Sequence, residues 1–432
     1  MHSAEDTPRQ RNPAHAQRHA ALSRRDLLAA GAAAGGLLAT AAGAGRALGA
    51  DAPLPIPPQM KVAGRTFSGY GHPAKAEETV QRYPTKPYGD IAAGSGNSQT
   101  PIEALNGTLT PSGLHFERHH NGVPEIDPAQ HRFVIHGLVK RPLAFTVADL
   151  LRYPQVSRVH FIECSGNGSR GFLPEPVQAP AGVLRGMISN SEWTGIPLSV
   201  LLEEAGVETQ GKWLLVEGAD SAALSRSVPM VKALDDAMIG LYQNGERLRP
   251  EQGYPLRLLL PGFEGNTNIK WLRRIQVIES PMYTKDETSK YTDLMPDGKA
   301  KQFTLELGVN SIITRPSFGM KLDKGFHEIT GITWSGAGRI RKVEVSTDGG
   351  YSWEVAALQG ESHPKATVRF RLPWEWNGAE AQLQSRSTDE KGRVQPARKA
   401  LVAQYSPGNS YHNHSIHTWH VQSDGSIRHV YA

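Results

Sequence analysis

The sequence predicts an α+β protein in which a mixed α+β domain is followed by a β-sandwich of immunoglobulin-like type. From Thr110 to about Met295, short apolar runs typical of strands alternate with helical patterns. After about Gln302 the helical pattern ends and only alternating strands remain. The chain of 432 residues is long enough for two or three domains that each bury a core.

Residues 1–50 are typical of a twin-arginine export signal. Arg24 and Arg25 precede a mildly apolar stretch of Ala, Gly and Leu, and small residues suited to cleavage follow at 47–50. A membrane anchor is the alternative, but Ala and Gly contribute little transfer free energy, and no other long apolar run follows. We therefore expect a periplasmic protein that is exported already folded and has no membrane anchor.

Most of the net charge of +5 lies in the same segment, where six arginines stand against three acidic residues. The rest of the chain carries 41 basic and 39 acidic side chains. A balance this close gives no overall basic character with which to bind a nucleic acid. We expect no nucleic-acid partner.

Residues 51–109 are rich in Pro and Gly and lack sustained periodicity, which predicts an extended lead-in to the first domain. Residues 110–300 form the predicted α+β domain. Its strand patterns are 133–137, 159–162, 214–216 and 256–260, and its helix patterns are 146–151 and 198–205.

Residues 301–432 form the predicted sandwich with a C-terminal tail. Its strand patterns are 329–332, 343–346, 368–372 and 381–386. Asp348, Gly349 and Gly350 are typical of a hairpin turn.

The chain contains a single cysteine, Cys164. An intramolecular disulfide, an all-cysteine metal site and a Cys-x-x-Cys-His haem site are therefore excluded. Any electrons that the protein handles must leave to a partner.

Residues 166–171 match the dinucleotide-binding pattern G-x-G-x-x-G. That pattern works only where a helix presents its N-terminus to the pyrophosphate. Pro174, Pro176 and Pro180 follow within nine residues of Gly171 and oppose such a helix. The sequence therefore argues against a nucleotide site.

Cys164 stands where the apolar strand pattern 159–162 runs into this Gly-rich loop. On composition alone, a single cysteine is more often an inert buried residue. The run Cys-Ser-Gly-Asn after a strand, however, resembles the molybdenum loop of the sulfite oxidase family. The resemblance implies that Cys164 is the protein's one ligand to a molybdenum held by a pterin. A soft thiolate suits such a metal, and coordination keeps it deprotonated.

Two shorter matches follow the order of that family. Phe116, Arg118 and His120 resemble its Phe-x-Arg-x-His motif, which implies that Arg118 lies in the substrate-anion pocket and that all three residues contact the cofactor. Asp220, within 217–221, resembles the aspartate that binds the pterin.

The longest match spans 253–272. It implies that Arg257, Asn268 and Lys270 bind the cofactor, with Arg257 and Lys270 on its phosphate, which requires charge-assisted donors. Tyr291, downstream, stands where the family has its active-site tyrosine. The resemblance covers roughly 110–420, and its sandwich part, 343–353, matches the family's dimerisation domain.

Three positions depart from the common family pattern. Gln252 replaces a histidine that contacts the pterin, and it can keep a hydrogen bond there. The second pocket arginine lies five residues after the cysteine in the animal enzymes, whereas the candidate here, Arg170, lies six after it. The family's C-terminal substrate arginine has no arginine counterpart.

The C-terminal region offers four histidines instead, at 412, 414, 417 and 420. They suggest either a second metal site or histidines that pack without metal, and we favour packing because no acidic residue adjoins them in the sequence. The replacement of a permanent charge by imidazoles indicates a different substrate.

These departures, together with the runs 109–120 and 126–132, make the chain similar to the SoxC-type catalytic subunits of sulfane dehydrogenase. That similarity implies a molybdenum–molybdopterin cofactor and oxidation of sulfane sulfur on a carrier protein. It also implies a c-type cytochrome subunit as electron acceptor and a homodimer within a hetero-oligomer. Arg118, Tyr291 and Arg170 are the expected catalytic residues.

Two alternatives remain. A direct sulfite dehydrogenase would use the same cofactor on free sulfite. A non-enzymatic periplasmic binding protein with an immunoglobulin-like domain would need no metal.

Overall fold

The computed structural model describes residues 56–85 and 92–431. These residues belong to two compact units that divide after Ser68. The first unit has one short 3-10 helix, Pro58–Lys61, with exposed side chains. The export signal expected at 1–50 lies outside the described residues. The second unit, from Gly69 onward, contains every other element described below.

Strands dominate the first half of this second unit. They are β1 (Tyr83–Pro84), β2 (Gly96–Gln99), β3 (Glu117–His119), β4 (Phe133–Gly137), β5 (Leu143–Phe145), β6 (Val156–Glu163), β7 (Ile188–Pro197), β8 (Trp213–Gly218), β9 (Ser225–Pro229), β10 (Met238–Gln243), β11 (Glu246–Arg247), β12 (Arg257–Leu259), β13 (Leu272–Ile278), β14 (Asp293–Leu294) and β15 (Ala300–Lys301).

Short helices connect these strands. The α-helices are α1 (Val147–Leu150), α2 (Ala181–Arg185), α3 (Leu198–Ala205), α4 (Met230–Asp235) and α5 (Lys285–Thr288), and the 3-10 helices are Lys75–Glu77, Ser112–Leu114, Ser169–Phe172, Pro250–Gln252 and Gly265–Thr267. Thr146 begins α1 with a capping box completed by Asp149, which explains the predicted helix at 146–151. Within 56–85 and 92–431, no helix has both the length and the apolar character that crossing a bilayer requires.

Two larger sheets form the framework of this half. One has the strand order β5-β4-β13-β8-β9, in which β4 and β13 run parallel, and the other has the order β11-β10-β7-β6 with β12 on β10. A smaller sheet, β1-β2-β3, contains part of the sequence predicted as a lead-in, because Gly96–Gln99 pairs with Glu117–His119. Helix α3 covers the core with Leu198, Leu201 and Leu202, which are fully buried.

The second half is a two-sheet sandwich. Its strands are β16 (Asn310–Arg315), β17 (Gly325–Trp334), β18 (Ile340–Ser346), β19 (Glu354–Val355), β20 (Ala357–Gln359), β21 (Val368–Trp376), β22 (Ala381–Asp389), β23 (Thr418–Val421) and β24 (Ile427–Val430). The sheet orders are β16-β17-β21-β20 and β19-β18-β22-β23-β24. Trp334, Phe370 and Trp419 fill the space between the sheets. The predicted α+β fold class, with a sandwich second, is confirmed.

Two local features of the sandwich bear on the sequence predictions. The turn predicted at 348–350 joins β18 to β19, and the Asp348 carboxylate accepts hydrogen bonds from Ser352. The expectation that no helix follows Gln302 is wrong, since a short helix α6 (Arg398–Val402) precedes the tail. Of its five residues only Leu401 is buried, so the helix leaves no periodic apolar pattern to detect.

The sandwich reaches the end of β6, where the Gly-rich loop begins. The Trp334 indole Nε1 donates a hydrogen bond to Glu163 Oε2 at 2.6 Å. Apolar side chains from both halves, including Phe161, Ile188 and Ile332, share one buried cluster. The loop that carries Cys164 is therefore supported by both halves of the unit.

Candidate active site

Cys164 follows β6 directly and is buried, with 8% of its surface exposed. Its backbone N–H donates to Met187 O at 3.0 Å, and the Asn167 N–H donates back to Cys164 O at 2.8 Å. Burial raises the pKa of the Cys164 thiol, although a backbone hydrogen bond from Gly166 and the charge of Arg118 partly oppose that shift. Without a metal this thiol is a poor nucleophile, because the reactive form is the thiolate.

Cys164 lines a cavity, called here the Cys164 pocket. The fold brings ten of the predicted site residues to its walls, although they come from distant parts of the chain. They are Phe116, Arg118, His120, Cys164, Asp220, Gln252, Arg257, Asn268, Lys270 and Tyr291.

One region of the pocket is cationic and buried. Arg257 donates to the carbonyls of Gln252 and Asn268 at 2.9 and 3.0 Å, while its Nε has no hydrogen-bond partner in the described structure. Lys270 Nζ lies 2.8 Å from His119 Nδ1. Burial lowers the pKa of Arg257 to about 9 and lowers that of Lys270 well below its usual value. An anionic group between them would offset this cost of burying positive charge.

The polar atoms around this region fit a phosphorylated pterin. Besides Arg257 Nε, the buried His115 Nε2 and Asn266 Oδ1 have no partner among the described protein atoms. They offer the mixed donors and acceptors that a polar ring system requires. Gln252 also lines the pocket, and its Nε2 donates to Phe116 O at 3.0 Å. The residues present therefore fit the cofactor implied by the sequence.

Tyr291 and His120 form a hydrogen-bonded pair in the pocket. The Tyr291 Oη and His120 Nε2 atoms are 2.7 Å apart, and the Arg226 guanidinium lies 5.3 Å from the centre of the tyrosine ring. Burial, reinforced by repulsion from Arg118, lowers the pKa of His120 to about 3, and burial raises that of Tyr291 above its usual value. At neutral pH both groups are uncharged, and Tyr291 keeps its phenol proton.

Arg118 supplies the positive charge on this side of the pocket. It lies on β3, and its Nη1 donates to Ser95 Oγ and Gly96 O, each at 3.4 Å, and to His119 O. These contacts hold the guanidinium against the small sheet β1-β2-β3, where Gly96 is the first residue of the neighbouring strand β2.

Arg170 is the one predicted site residue that does not lie in the Cys164 pocket. It lines a separate cavity with Arg185 and Arg398. The reason is the turn at Gly168, whose φ of +76° starts the 3-10 helix Ser169–Phe172 and carries the following side chains away. The same short helix confirms that G-x-G-x-x-G does not begin a long helix here.

Tyr411 and His412 lie next to the pocket residues, although the sequence indicated no role for Tyr411 and pointed to His412 only as one of the four C-terminal histidines. The Tyr411 ring packs against Tyr291 with centres 5.5 Å apart, and the His412 N–H donates to Ser165 O at 2.8 Å. The tail that contains them therefore lies against the Cys164 loop. The histidines were visible in the sequence, but their position beside this loop was not.

His412 corrects the expectation that no acidic residue adjoins the C-terminal histidines. Its Nδ1 lies 2.9 Å from Asp293, and its Nε2 lies 3.3 Å from Glu264, which also pairs with the buried Arg226. Burial alone would lower the pKa of His412, but these two carboxylates outweigh it and raise the pKa to about 9. Among the described residues, no group of three or more His, Cys, Asp or Glu side chains is arranged to hold a metal ion. His412 instead belongs to a buried ion-pair network with Asp293, Glu264 and Arg226.

Comparison with known families supports this reading of the pocket. The family model described as "Oxidoreductase molybdopterin binding domain" matches residues 120–285, and the one described as "Mo-co oxidoreductase dimerisation domain" matches residues 301–419. The predicted molybdenum–molybdopterin cofactor is confirmed on this basis.

Curated relatives include sulfite oxidases and nitrate reductases. Sulfite oxidase of Gallus gallus is 30% identical over 332 residues, which are 71% of this chain and 72% of that protein. Mitochondrial sulfite oxidase of Rattus norvegicus is 30% identical over 335 residues, and the match spans 71% of this chain but only 61% of the rat protein. Nitrate reductase [NADH] 2 of Phaseolus vulgaris is 32% identical over 316 residues, 65% of this chain and 35% of that protein.

Among solved structures, the sulfane dehydrogenase SoxCD from Paracoccus pantotrophus is similar throughout. The TM-score is 0.84 and the identity 44%, with 87% of this chain and 97% of that chain covered. The chain therefore belongs to the sulfite oxidase family of molybdenum-pterin oxidoreductases.

Proposed function

We propose that this protein is a periplasmic oxidoreductase that oxidises reduced sulfur, specifically sulfane sulfur bound to a carrier protein, and passes the electrons to a c-type cytochrome subunit. The observation that carries the proposal is the Cys164 pocket, in which the single cysteine lies with Arg118 and Tyr291 and with the cofactor-binding residues. The 44% identity to a sulfane dehydrogenase over almost the whole of that chain favours the sulfane substrate.

The bound molybdenum-pterin cofactor supplies the two-electron redox chemistry. Cys164 would be its protein ligand. Arg257 and Lys270 would hold its phosphate, because the first is buried, the second is half-buried, and neither has a carboxylate within ion-pair distance in the described structure.

The remaining pocket residues bind and orient the substrate. Arg118 is held by Ser95 and Gly96 and attracts an anionic sulfur group. Tyr291, held by His120, stays a phenol because burial raises its pKa, so it can donate to charge that develops on the substrate. Fixed donors in a site that excludes water stabilise such charge better than mobile water does.

Direct oxidation of free sulfite is the second candidate, and the sulfite oxidases among the relatives favour it. A steady-state assay of the purified holoprotein with a c-type cytochrome separates the two. One arm supplies a carrier protein that bears a persulfide, and a second arm supplies free sulfite. A third arm supplies nitrate with a reduced dye, because nitrate reductases are also relatives.

Each arm has a defined meaning. Turnover of the carrier-bound persulfide well above that of sulfite supports the proposal, and the reverse ranking supports the second candidate. Turnover of nitrate alone overturns both. Protein that contains no molybdenum or pterin when purified from a host that makes the cofactor would instead favour the non-enzymatic binding protein.

The periplasmic location has its own test. Arg24→Lys with Arg25→Lys should leave the protein in the cytoplasm, because the twin-arginine pathway recognises that pair. Arg18→Lys, six residues earlier in the same segment, is the matched control and should be exported normally. Equal export of both forms would contradict a twin-arginine signal.

A further inference from the structure

The cavity that Arg170 lines, called here the arginine cavity, is separate from the Cys164 pocket. It shares no lining residue with the Cys164 pocket. The two are nevertheless close, because Gly168 lines the arginine cavity and lies four residues after Cys164. Its walls come from the Cys164 loop, α2, α6, the tail and β24.

Three arginines, Arg170, Arg185 and Arg398, line this cavity, and none of its described lining residues is acidic. Arg185 donates to Asn413 and to Ser415 O, and Arg398 donates to the carbonyls of Gly171 and Leu173. All of these acceptors are neutral. In the described structure none of the three arginines has a carboxylate within ion-pair distance, so the cavity has an excess of positive charge.

Arg185 makes this excess costly. It is 4% exposed, and Gly168 packs so closely on it that a Cβ there would lie 2.6 Å from its Nη1. Burial lowers the pKa of Arg185 to about 10, although the more distant Glu163 partly opposes the shift. Buried charge of this kind is ordinarily matched by a counter-charge.

A buried histidine with an unpartnered ring nitrogen also lines the cavity. His417 is 8% exposed, and its Nε2 has no hydrogen-bond partner in the described structure. Its ring stacks on His429 with centres 4.0 Å apart, and His429 Nδ1 is itself held by Val177 O at 3.0 Å. The stack fixes the His417 ring at the cavity wall.

The shape of the site indicates the size of its ligand. Arg185, His417 and His429 form a buried interior, whereas Arg170, Arg398 and Tyr431 are partly exposed at the rim. The Arg398 guanidinium lies 3.4 Å from the centre of the Tyr431 ring, which limits its movement. A guanidinium presents a planar fork of N–H donors that matches the oxygens of an oxyanion, and three arginines line this one cavity.

We propose that the arginine cavity binds one small tetrahedral oxyanion, with Arg170, Arg185 and Arg398 as charged donors and His417 as a neutral donor. Sulfate and phosphate share this chemistry. Because Arg185 also anchors Asn413 and Ser415, the bound anion would join the Cys164 loop to the tail that covers it.

The test is equilibrium dialysis of the holoprotein against radiolabelled inorganic sulfate at constant ionic strength set with chloride. Arg118→Gln serves as the background, because it removes the main anion-binding charge of the Cys164 pocket and leaves the arginine cavity intact. Saturable binding should persist in this background. Competition by unlabelled phosphate then shows which of the two oxyanions is preferred.

Three variants in that background locate the site. Arg170→Gln and Arg398→Gln should each weaken sulfate binding about tenfold, the effect of losing one charged hydrogen bond. Lys399→Gln, which removes an exposed charge next to Arg398 but outside the cavity, should leave it unchanged. The Arg170 side chain makes no hydrogen bond or ion pair to the described protein, so its replacement should not disturb the fold.

Absence of saturable binding in the Arg118→Gln background would overturn the proposal, and so would equal weakening in all three variants. The readout is binding and not turnover. Failure of this proposal would therefore leave the proposed sulfur oxidation untouched, and the reverse also holds.

Discussion

At the scale of single residues, Cys164 is the proposed metal ligand. Its thiol is buried, and burial raises its pKa, so the free side chain would be unreactive. Cys164→Ser should keep the fold, since the two side chains are similar in size, and should lose molybdenum and on the order of 100-fold or more in turnover. Elemental analysis and far-UV circular dichroism measure both effects. Full activity in this variant would rule out the ligand assignment.

Arg118 should act chiefly in substrate binding. Arg118→Gln removes the positive charge but keeps a hydrogen-bond donor, so KM should rise roughly 10- to 100-fold while kcat changes less. Arg273→Gln, which removes an exposed arginine outside the pocket, is the control and should leave both constants unchanged. An unchanged KM for Arg118→Gln would exclude the residue from the substrate site.

His412 should make stability depend on pH. Its folded pKa is raised to about 9, so the charged imidazole stabilises the fold fully below about pH 6.5, and this contribution is lost as the pH rises through 9. His412→Gln should therefore be less stable than the parent by about 3 kcal/mol at pH 6, the cost of breaking a buried ion pair, and the difference should shrink towards pH 10.

Thermal unfolding of parent and variant at several pH values measures that difference. His363→Gln, at an exposed histidine of the sandwich, is the matched control and should follow the parent throughout. A gap between His412→Gln and the parent that stays constant from pH 6 to 10 would show that His412 is not the titrating group.

The sequence could predict those site residues that lie at fixed spacings within one segment. Arg257 and Lys270 belong to one continuous segment, so a motif identifies them together. The distance from Cys164 to Arg170 is one residue longer than in the animal enzymes. The left-handed turn at Gly168, which spacing does not reveal, places Arg170 in another cavity. The partners of His412 lie more than a hundred residues away, and no local pattern connects them.

At the scale of elements, the contact between β6 and β17 determines how firmly the Cys164 loop is held. Trp334→Phe keeps an aromatic ring between the sheets, but it removes the hydrogen bond to Glu163 together with the second ring of a fully buried indole. The expected loss is about 1–3 kcal/mol, since the glutamate loses a buried donor. Urea denaturation measures it.

Trp353→Phe provides the control for that variant. The Trp353 Nε1 donates to Gly350 O within its own partly exposed hairpin, so its loss should cost less than that of the buried bond. Equal losses of unfolding free energy in the two variants would mean that the hydrogen bond between the halves stabilises the fold no more than the bond within the hairpin.

Elements with a periodic apolar pattern could be predicted from the sequence, whereas elements that depend on a few tertiary contacts could not. Helix α3 places Leu198, Leu201 and Leu202 on one face, which is the helical period. Helix α6 buries only Leu401, and the pairing of β2 with β3 depends on partners that no alternation specifies. Tertiary contact, more than propensity, determines these short elements.

At the scale of the whole molecule, the sandwich is the expected site of self-association. A family model named for dimerisation matches 301–419, and aromatic side chains of this region, such as Tyr351 at 94% exposure, lie on its surface. Light scattering of the purified protein should give twice the mass of one chain. A mass equal to one chain at micromolar concentration would contradict a stable homodimer.

The contact between the tail and the Cys164 loop also affects when the site can form during protein synthesis. Arg185 and Asn413, which hydrogen-bond to each other, are 228 residues apart. A ribosome adds about 5–20 residues per second, so roughly 10 to 50 s separate the synthesis of the two partners. During translation the loop thus exists for a long interval without the segment that covers it. The last step in forming the active site belongs to a part of the chain made long after the metal ligand itself.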